Sequence, residues 1–117
     1  MRLSQAIDWA DQIRPNTILK EEKIPVLLKL ETEIAEMMDV DPPQWGNPAD
    51  DPELLIPDTH AIVYPYMLLP FIDHYQEETD LYQIDMITAN QTLAETKAWW
   101  RRHHRQAEDV HFKGVFF

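Results

Sequence analysis

Six residues near the C-terminus recur at alternating steps of four and three positions, a spacing that is typical of helices packed along one another. They are Tyr82, Met86, Ala89, Leu93, Thr96 and Trp100. On a helix this spacing places all six on one side, where they form a heptad-like seam. The pattern predicts a long helix over about 79–105, roughly 40 Å in length at the helical rise.

Apolar periodicity elsewhere predicts three further helices. They cover about 3–13, 19–38 and 60–76. Ser4 is the expected N-cap of the first helix. Pro25 lies early in the second, where the loss of one backbone hydrogen bond is tolerated. Together with the long C-terminal helix, these segments predict an all-α, four-helix, bundle-like domain spanning 1–117.

The third predicted helix is apolar on nearly every side, so it needs more than one neighbour to cover it. Asp58 or Thr59 is expected to cap its N-terminus. Pro65 and Pro70 fall inside it and are expected to kink it, because each removes an internal hydrogen bond. The same two prolines argue against a strand in this segment.

Two segments are not expected to be helical. Residues 39–58 are rich in proline and aspartate and predict a long loop between the second and third helices. Trp45 lies in this loop, where its large apolar ring is expected to anchor the loop on the body or on a partner. The tail, 106–117, alternates enough between polar and apolar residues to predict an extended segment.

The composition excludes several kinds of chemistry. The chain has two glycines, Gly46 and Gly114, so no Gly-rich phosphate loop or dinucleotide fingerprint can be written from it. Without cysteine, and with Ser4 as the one serine, there is no candidate nucleophile beside a base. We expect no enzyme activity, no catalytic residues and no cofactor.

A metal site is a weak alternative in the acid-rich stretch 73–80. His74 and Glu77 stand three residues apart on a helix, so their side chains could bind the same metal ion. Di-iron bundles, however, use Glu-x-x-His on two helices with further glutamates. Here the order is reversed and no second copy occurs, so a solvated helix end is the favoured interpretation and no metal is expected.

The charge distribution limits the partners. The formal net charge is −11, and the 67 residues between Lys29 and Lys97 hold 15 carboxylates and no Lys or Arg. Such a surface repels nucleic acid at long range. No stretch approaches the roughly 20 apolar residues of a membrane helix, so no membrane partner is expected either.

The octet 98–105, AWWRRHHR, is the most site-like stretch of the chain. Cations at the end of a helix are favoured by its dipole, so the simplest interpretation is structural. Contact with a partner subunit is the second interpretation, and DNA binding through basic and aromatic side chains is the third. The candidate contact residues of the whole chain are Trp45, Trp99, Arg101, Arg102, His104 and Arg105.

Scattered positions along nearly the whole chain form a pattern that is known from other sequences. They are Ala6, Asp11, Pro15, Asn16, Lys23, Ile24, Leu54, Leu55, Ile56, Pro57, Ile72, Asp73, Tyr75, Tyr82, Met86, Asn90, Trp99, Arg102 and His104. At these positions the chain resembles a family of small proteins of tailed phages and prophages of Gram-positive bacteria. It departs from the family at Gln76-Glu77, where the family has an Asn-Gly turn, and at Pro65, Pro70, Arg101 and His103.

This resemblance implies a head–tail connector, or head-completion adaptor. Such a protein assembles as a ring homo-oligomer below the portal and joins the capsid to the tail, although an isolated connector can be monomeric. Its expected partners are itself, the portal protein and tail or stopper proteins, and DNA passes through the ring without specific binding. The expected location is the neck of the virion, and the host cytoplasm during assembly. The resemblance brings no catalytic residues.

Two other classes of function remain open. An acidic helical surface can mimic DNA, so a small prophage-encoded regulator or DNA-mimic inhibitor is the main alternative. A metal-dependent enzyme is the weaker one.

Overall fold

The computed structural model describes the backbone of residues 1–41 and 51–116, and the side chains of 1–41 and 51–103. This part of the chain forms four helices: α1 (Leu3–Ile13), α2 (Lys20–Met38), α3 (Val63–Tyr75) and α4 (Thr79–Phe116). Within the same residues, extended backbone pairs in one antiparallel bridge, between Arg2 and Glu53. The predicted all-α fold class is confirmed.

α3 is the centre of the fold. It packs against α1, α2 and α4. The main apolar cluster combines α3 with residues of α1, α2 and the segment 54–61. The buried apolar residues of α3 are Val63, Tyr64, Pro65, Leu68, Leu69, Pro70 and Ile72.

The start of α3 differs from the prediction. Residues 58–62 form turns, and the helix begins at Val63 with Ile62 at the N-cap and no side-chain cap. Pro65 is therefore in the first turn, where its missing N–H has no helical acceptor to lose. Pro70 does lie inside the helix, which nevertheless continues to Tyr75.

The predicted N-cap of α1, Ser4, is wrong: Arg2 stands at the N-cap position, and the side chain of Asp51 caps the free N–H of Ser4. Ser4 is already helical, and its N–H and Oγ donate to Asp51 Oδ1 and Oδ2 at 2.7 and 2.6 Å. These bonds lower the pKa of Asp51. Leu3 N also donates to the Pro52 carbonyl at 3.0 Å, so the end of the predicted loop is fixed against α1.

A buried hydrogen-bond network fixes the next stretch of the loop between α2 and α3. Tyr64 Oη donates to Glu31 Oε1 at 2.6 Å and accepts from the Ile56 N–H at 2.9 Å. Glu31 Oε2 accepts from the Leu55 N–H at 2.8 Å. Burial raises the pKa of both Glu31 and Tyr64. Every partner is satisfied, which makes this network a specific clamp on the chain.

α4 packs on α3 through the predicted seam. Ala89 and Thr96 are buried, and Tyr82, Met86, Leu93 and Trp100 are half-buried. The largest contact of α4 is with α3. The buried members of the main apolar cluster come from the other three helices and from the chain between them, so α4 covers this cluster from outside. One side of α4 is thus held by the body.

The C-terminal end of α4 corrects the prediction. The extended tail expected over 106–117 is wrong, because the helix continues through it to Phe116. The segment 105–108 consists of strong helix formers, no proline follows, and one glycine inside a helix costs only about 1 kcal/mol. At 38 residues α4 has a length of about 57 Å, and the longest dimension of the molecule is 59 Å.

We predict that Tyr64→Phe lowers the free energy of unfolding by about 1–3 kcal/mol, because it leaves Glu31 Oε1 and the Ile56 N–H buried without a partner. Urea denaturation measures the loss. Tyr66→Phe, at a half-buried position of the same helix, is the matched control and should change stability by less than about 0.5 kcal/mol. Equal losses in the two variants would show that the network does not clamp the loop.

Candidate functional site

The side chains expected to contact a partner divide into two groups. Trp99 is half-buried and stacks on His60, with ring centroids 4.1 Å apart and planes at 20°. The edge of His103 approaches the same ring at 5.3 Å. Arg101 and Arg102, by contrast, are exposed. One face of Trp99 therefore packs within its own chain, whereas the two arginines lie at the surface.

The other three predicted contact residues lie outside the described side chains. Trp45 is in the segment 42–50, and His104 and Arg105 follow the last described side chain on α4. Their assignment stays a prediction.

Arg101 and Arg102 differ in their surroundings from three other cations of the described part of the chain. Arg14, Lys20 and Lys23 each have a carboxylate within 4.0 Å. Among the described residues, no carboxylate lies within that distance of Arg101 or Arg102. Two adjacent exposed charges that no described side chain neutralises are available to an acidic partner.

A second cluster joins three helices in the interior. Arg14 follows α1, Asp73 belongs to α3 and Asp85 to α4. Arg14 Nη2 donates to Asp85 Oδ2 at 2.7 Å, and Arg14 Nε lies 3.1 Å from Asp73 Oδ1. The side chain of Asp73 is fully buried, and neither of its oxygens has a hydrogen bond from a described residue.

Burial, together with the neighbouring Asp85, raises the pKa of Asp73 to about 7, even though the Arg14 charge opposes the shift. Near neutral pH, Asp73 therefore exchanges a proton. In its neutral form Asp73 can donate a hydrogen bond to Asp85, so that one ionised carboxylate faces the Arg14 guanidinium. The hydrogen bond with Asp85 in turn raises the pKa of Arg14. The cluster holds the start of α4 on the body.

Sequence reasoning missed this cluster. The stretch 73–80 was interpreted as a solvated helix end, which is wrong for Asp73. One signal could have indicated its burial: Asp73 continues the apolar side of α3 that contains Tyr66 and Leu69. Nothing in the sequence indicates Arg14 as its neighbour, because that contact depends on how α1 meets α3.

A surface pocket of about 440 Å³ opens where α3 turns into α4. It is lined by Asp73, His74, Glu77, Glu78, Thr79, Tyr82 and Gln83. His74 and Tyr82 stand side by side in it, with ring centroids 5.8 Å apart. Within the described residues, no group of three or more His, Cys, Asp or Glu side chains could hold a metal ion. The pocket offers an acidic rim rather than a metal centre.

A shallower pocket of about 430 Å³ lies along α1, next to the N-terminus. The Met1 amine forms an ion pair with Asp58 there at 2.8 Å. Ser4, the one serine of the chain, donates its N–H and hydroxyl hydrogen bonds to Asp51.

Comparison with known proteins gives no match: no protein-family model, no curated protein and no solved structure is similar to this chain. In the described part of the chain, no helix is long and apolar enough to span a membrane. The surfaces above and the resemblance in sequence are therefore the basis for a functional proposal.

We predict that Asp73→Asn removes a pH dependence of stability. The folded-state pKa of Asp73 is above its ordinary value of 3.8, so its protonation stabilises the fold fully below about pH 4 and progressively less as the pH rises to about 7. The decline has a maximum slope of about 1.4 kcal/mol per pH unit. Asn cannot ionise, so the variant loses this decline in urea denaturation over the same pH range.

Asp80→Asn is the control, because Asp80 is exposed on the same acidic stretch. It should keep the slope of the wild-type protein. A wild-type slope in Asp73→Asn would show that Asp73 is already ionised throughout this range.

Proposed function

We propose that this chain is a structural protein of a tailed phage or prophage, a head–tail connector that assembles as a ring and joins the portal and capsid to the tail. The observation that carries the proposal is α4. Over its described side chains this long helix is held by the body on one side and largely exposed on the other, and it carries the exposed pair Arg101 and Arg102 on a chain of net charge −11. A surface of this kind is suited to assembly rather than to chemistry.

The positions that match the connector family support the proposal through their roles in the fold. Ile72 and Asp73 are buried at the end of α3, and Tyr82 and Met86 belong to the seam that holds α4 on α3. The resemblance therefore follows the residues that determine how the last two helices meet. Asn90 matches as well, although it is exposed on α4 and has no such role.

The charge distribution fits a ring. Contacts between neighbours in a ring are heterologous, so two different surfaces of each subunit must be complementary. Arg101 and Arg102 provide the basic surface, and the acidic rim around Glu77 and Glu78 provides an opposite one at the far end of the exposed surface of α4. Ring assembly also multiplies the net negative charge around one channel, along which DNA is repelled from the wall and slides.

The direct test is native mass spectrometry of the purified chain mixed with rings of the portal protein encoded beside it. We expect a ring of this chain on the portal ring. Arg101→Glu and Arg102→Glu should each weaken that assembly at least about tenfold, because each sets a negative charge against an acidic neighbour. Circular dichroism should show an unchanged helical content in both variants.

Lys29→Glu is the matched control. Lys29 is exposed on α2, and the substitution makes the same change of charge away from α4. It should leave assembly unaffected. Failure of the wild-type protein to bind portal rings at any concentration, with a gene outside a packaging cluster, would rule out the connector.

The acidic surface itself favours a second candidate, a DNA-mimic inhibitor or regulator. Exposed carboxylates follow α2 and its end, at Glu22, Glu33, Glu36 and Asp39. A DNA-mimic would bind a DNA-binding host protein in competition with DNA, and that binding would weaken with salt. Such binding without any portal complex would favour this candidate.

A further inference from the structure

The outer side of α4, opposite to the seam, repeats the heptad spacing. Ile84 and Ile87 are 58% and 59% exposed, which is unusual for side chains of their size. Gln91, Ala94 and Ala98 continue from them at steps of four, three and four. These five residues, here called the outer stripe, lie on one side of the helix at the spacing that helix pairs use.

The outer stripe ends in opposite charges. Asp80 stands one turn before Ile84, and Arg102 one turn after Ala98, and both are exposed. They are 22 residues apart on one continuous helix, which separates them by about 33 Å. Their charges therefore cannot neutralise each other within one chain.

We infer that the outer stripe binds the outer stripe of a second copy of this chain, with the two α4 helices antiparallel and a two-fold axis at Gln91. Asp80 and Arg102 are each eleven residues from Gln91, on opposite sides, and Ile84 and Ala98 are each seven. An axis at Gln91 thus sets Asp80 against Arg102 of the other copy, and Ile84 against Ala98, twice over.

Both kinds of contact favour this arrangement. An isoleucine opposite an alanine fills the space between two helices whose axes are about 8–10 Å apart. The antiparallel direction pairs each acid with a base. A parallel pair would instead set Arg102 against Arg102 and Asp80 against Asp80, which is unfavourable for two chains that are already strongly negative.

The pairing goes beyond the proposed connector and does not depend on it. It uses Arg102, which the ring contact also uses, so a chain paired in this way cannot occupy the ring at the same time. Pairing is then the state of the chain away from the portal. It is measured on the isolated protein, so its failure and the failure of the portal complex are separate results.

The first test is sedimentation equilibrium of the purified chain over a wide concentration range. The wild-type protein should form a dimer. Asp80→Arg and Arg102→Glu should each weaken it about tenfold, since each replaces two opposite-charge pairs with two like-charge pairs. The double variant Asp80→Arg/Arg102→Glu exchanges the charges and should restore the dimer, with Lys29→Glu as a control that leaves it unchanged.

The second test uses the absence of cysteine from the chain. Gln91→Cys places one thiol of each copy at the two-fold axis, close enough for a disulfide between the copies under mild oxidation. Glu33→Cys, at an exposed position of α2, is the matched control and should remain largely uncrosslinked. Circular dichroism verifies that the variants are folded.

Three results would overturn the inference. A wild-type protein that stays monomeric at every concentration has no such interface. A dimer that the charge variants leave unchanged is parallel or uses another surface, because in a parallel pair each substitution only exchanges one like-charge contact for another. Crosslinking of Gln91→Cys at the rate of Glu33→Cys would likewise place the axis elsewhere.

Discussion

The burial of most of α3 is the constraint from which the arrangement of the other elements follows. A helix that is apolar around nearly its whole circumference cannot lie at the surface, so α1, α2 and α4 cover it and leave His74 and Tyr75 exposed at its end. This covering takes one polar residue near that end inside as well. Asp73 becomes fully buried, and it is stable there because Arg14 and Asp85 approach it from α1 and α4.

The same constraint explains why α4 has two different sides. α3 is covered by the seam of α4, with Asp85 and Trp99 making further contacts to the body, and the opposite side of that helix is left largely exposed. The outer stripe consequently keeps two isoleucines at the surface. Its charges at the two ends lie too far apart to meet within the chain. A helix so placed is held firmly on one side and remains available for assembly on the other.

The sequence predicted the features that depend on local spacing. The periodic patterns predicted α1, α2 and the seam of α4 almost to the residue, and they predicted that α3 is apolar on nearly every side. The failures depend on contacts between distant segments. Asp51 caps α1 from 47 residues away, and Asp73 is buried because of Arg14, which no pattern around Asp73 indicates.

The tail was predicted extended from a weak alternation, whereas helix propensity continued α4 through it. Of the contact residues, the exposure of Arg101 and Arg102 fits the sequence-based prediction, and the stacking of Trp99 on His60 could not be read from spacing alone.

Thiol labelling at two alanines of α4 measures most directly whether its two sides serve these different purposes. Ala89→Cys lies in the seam and Ala94→Cys in the outer stripe, so the two variants make the same change on opposite sides of one helix. The thiol at position 89 should be protected at every protein concentration, because α3 covers it. The thiol at position 94 should react freely in dilute protein and become protected as the concentration rises. Equal reactivity at the two positions, or a thiol at position 94 that reacts freely at every concentration, would contradict the division of α4 into a side for its own fold and a side for assembly.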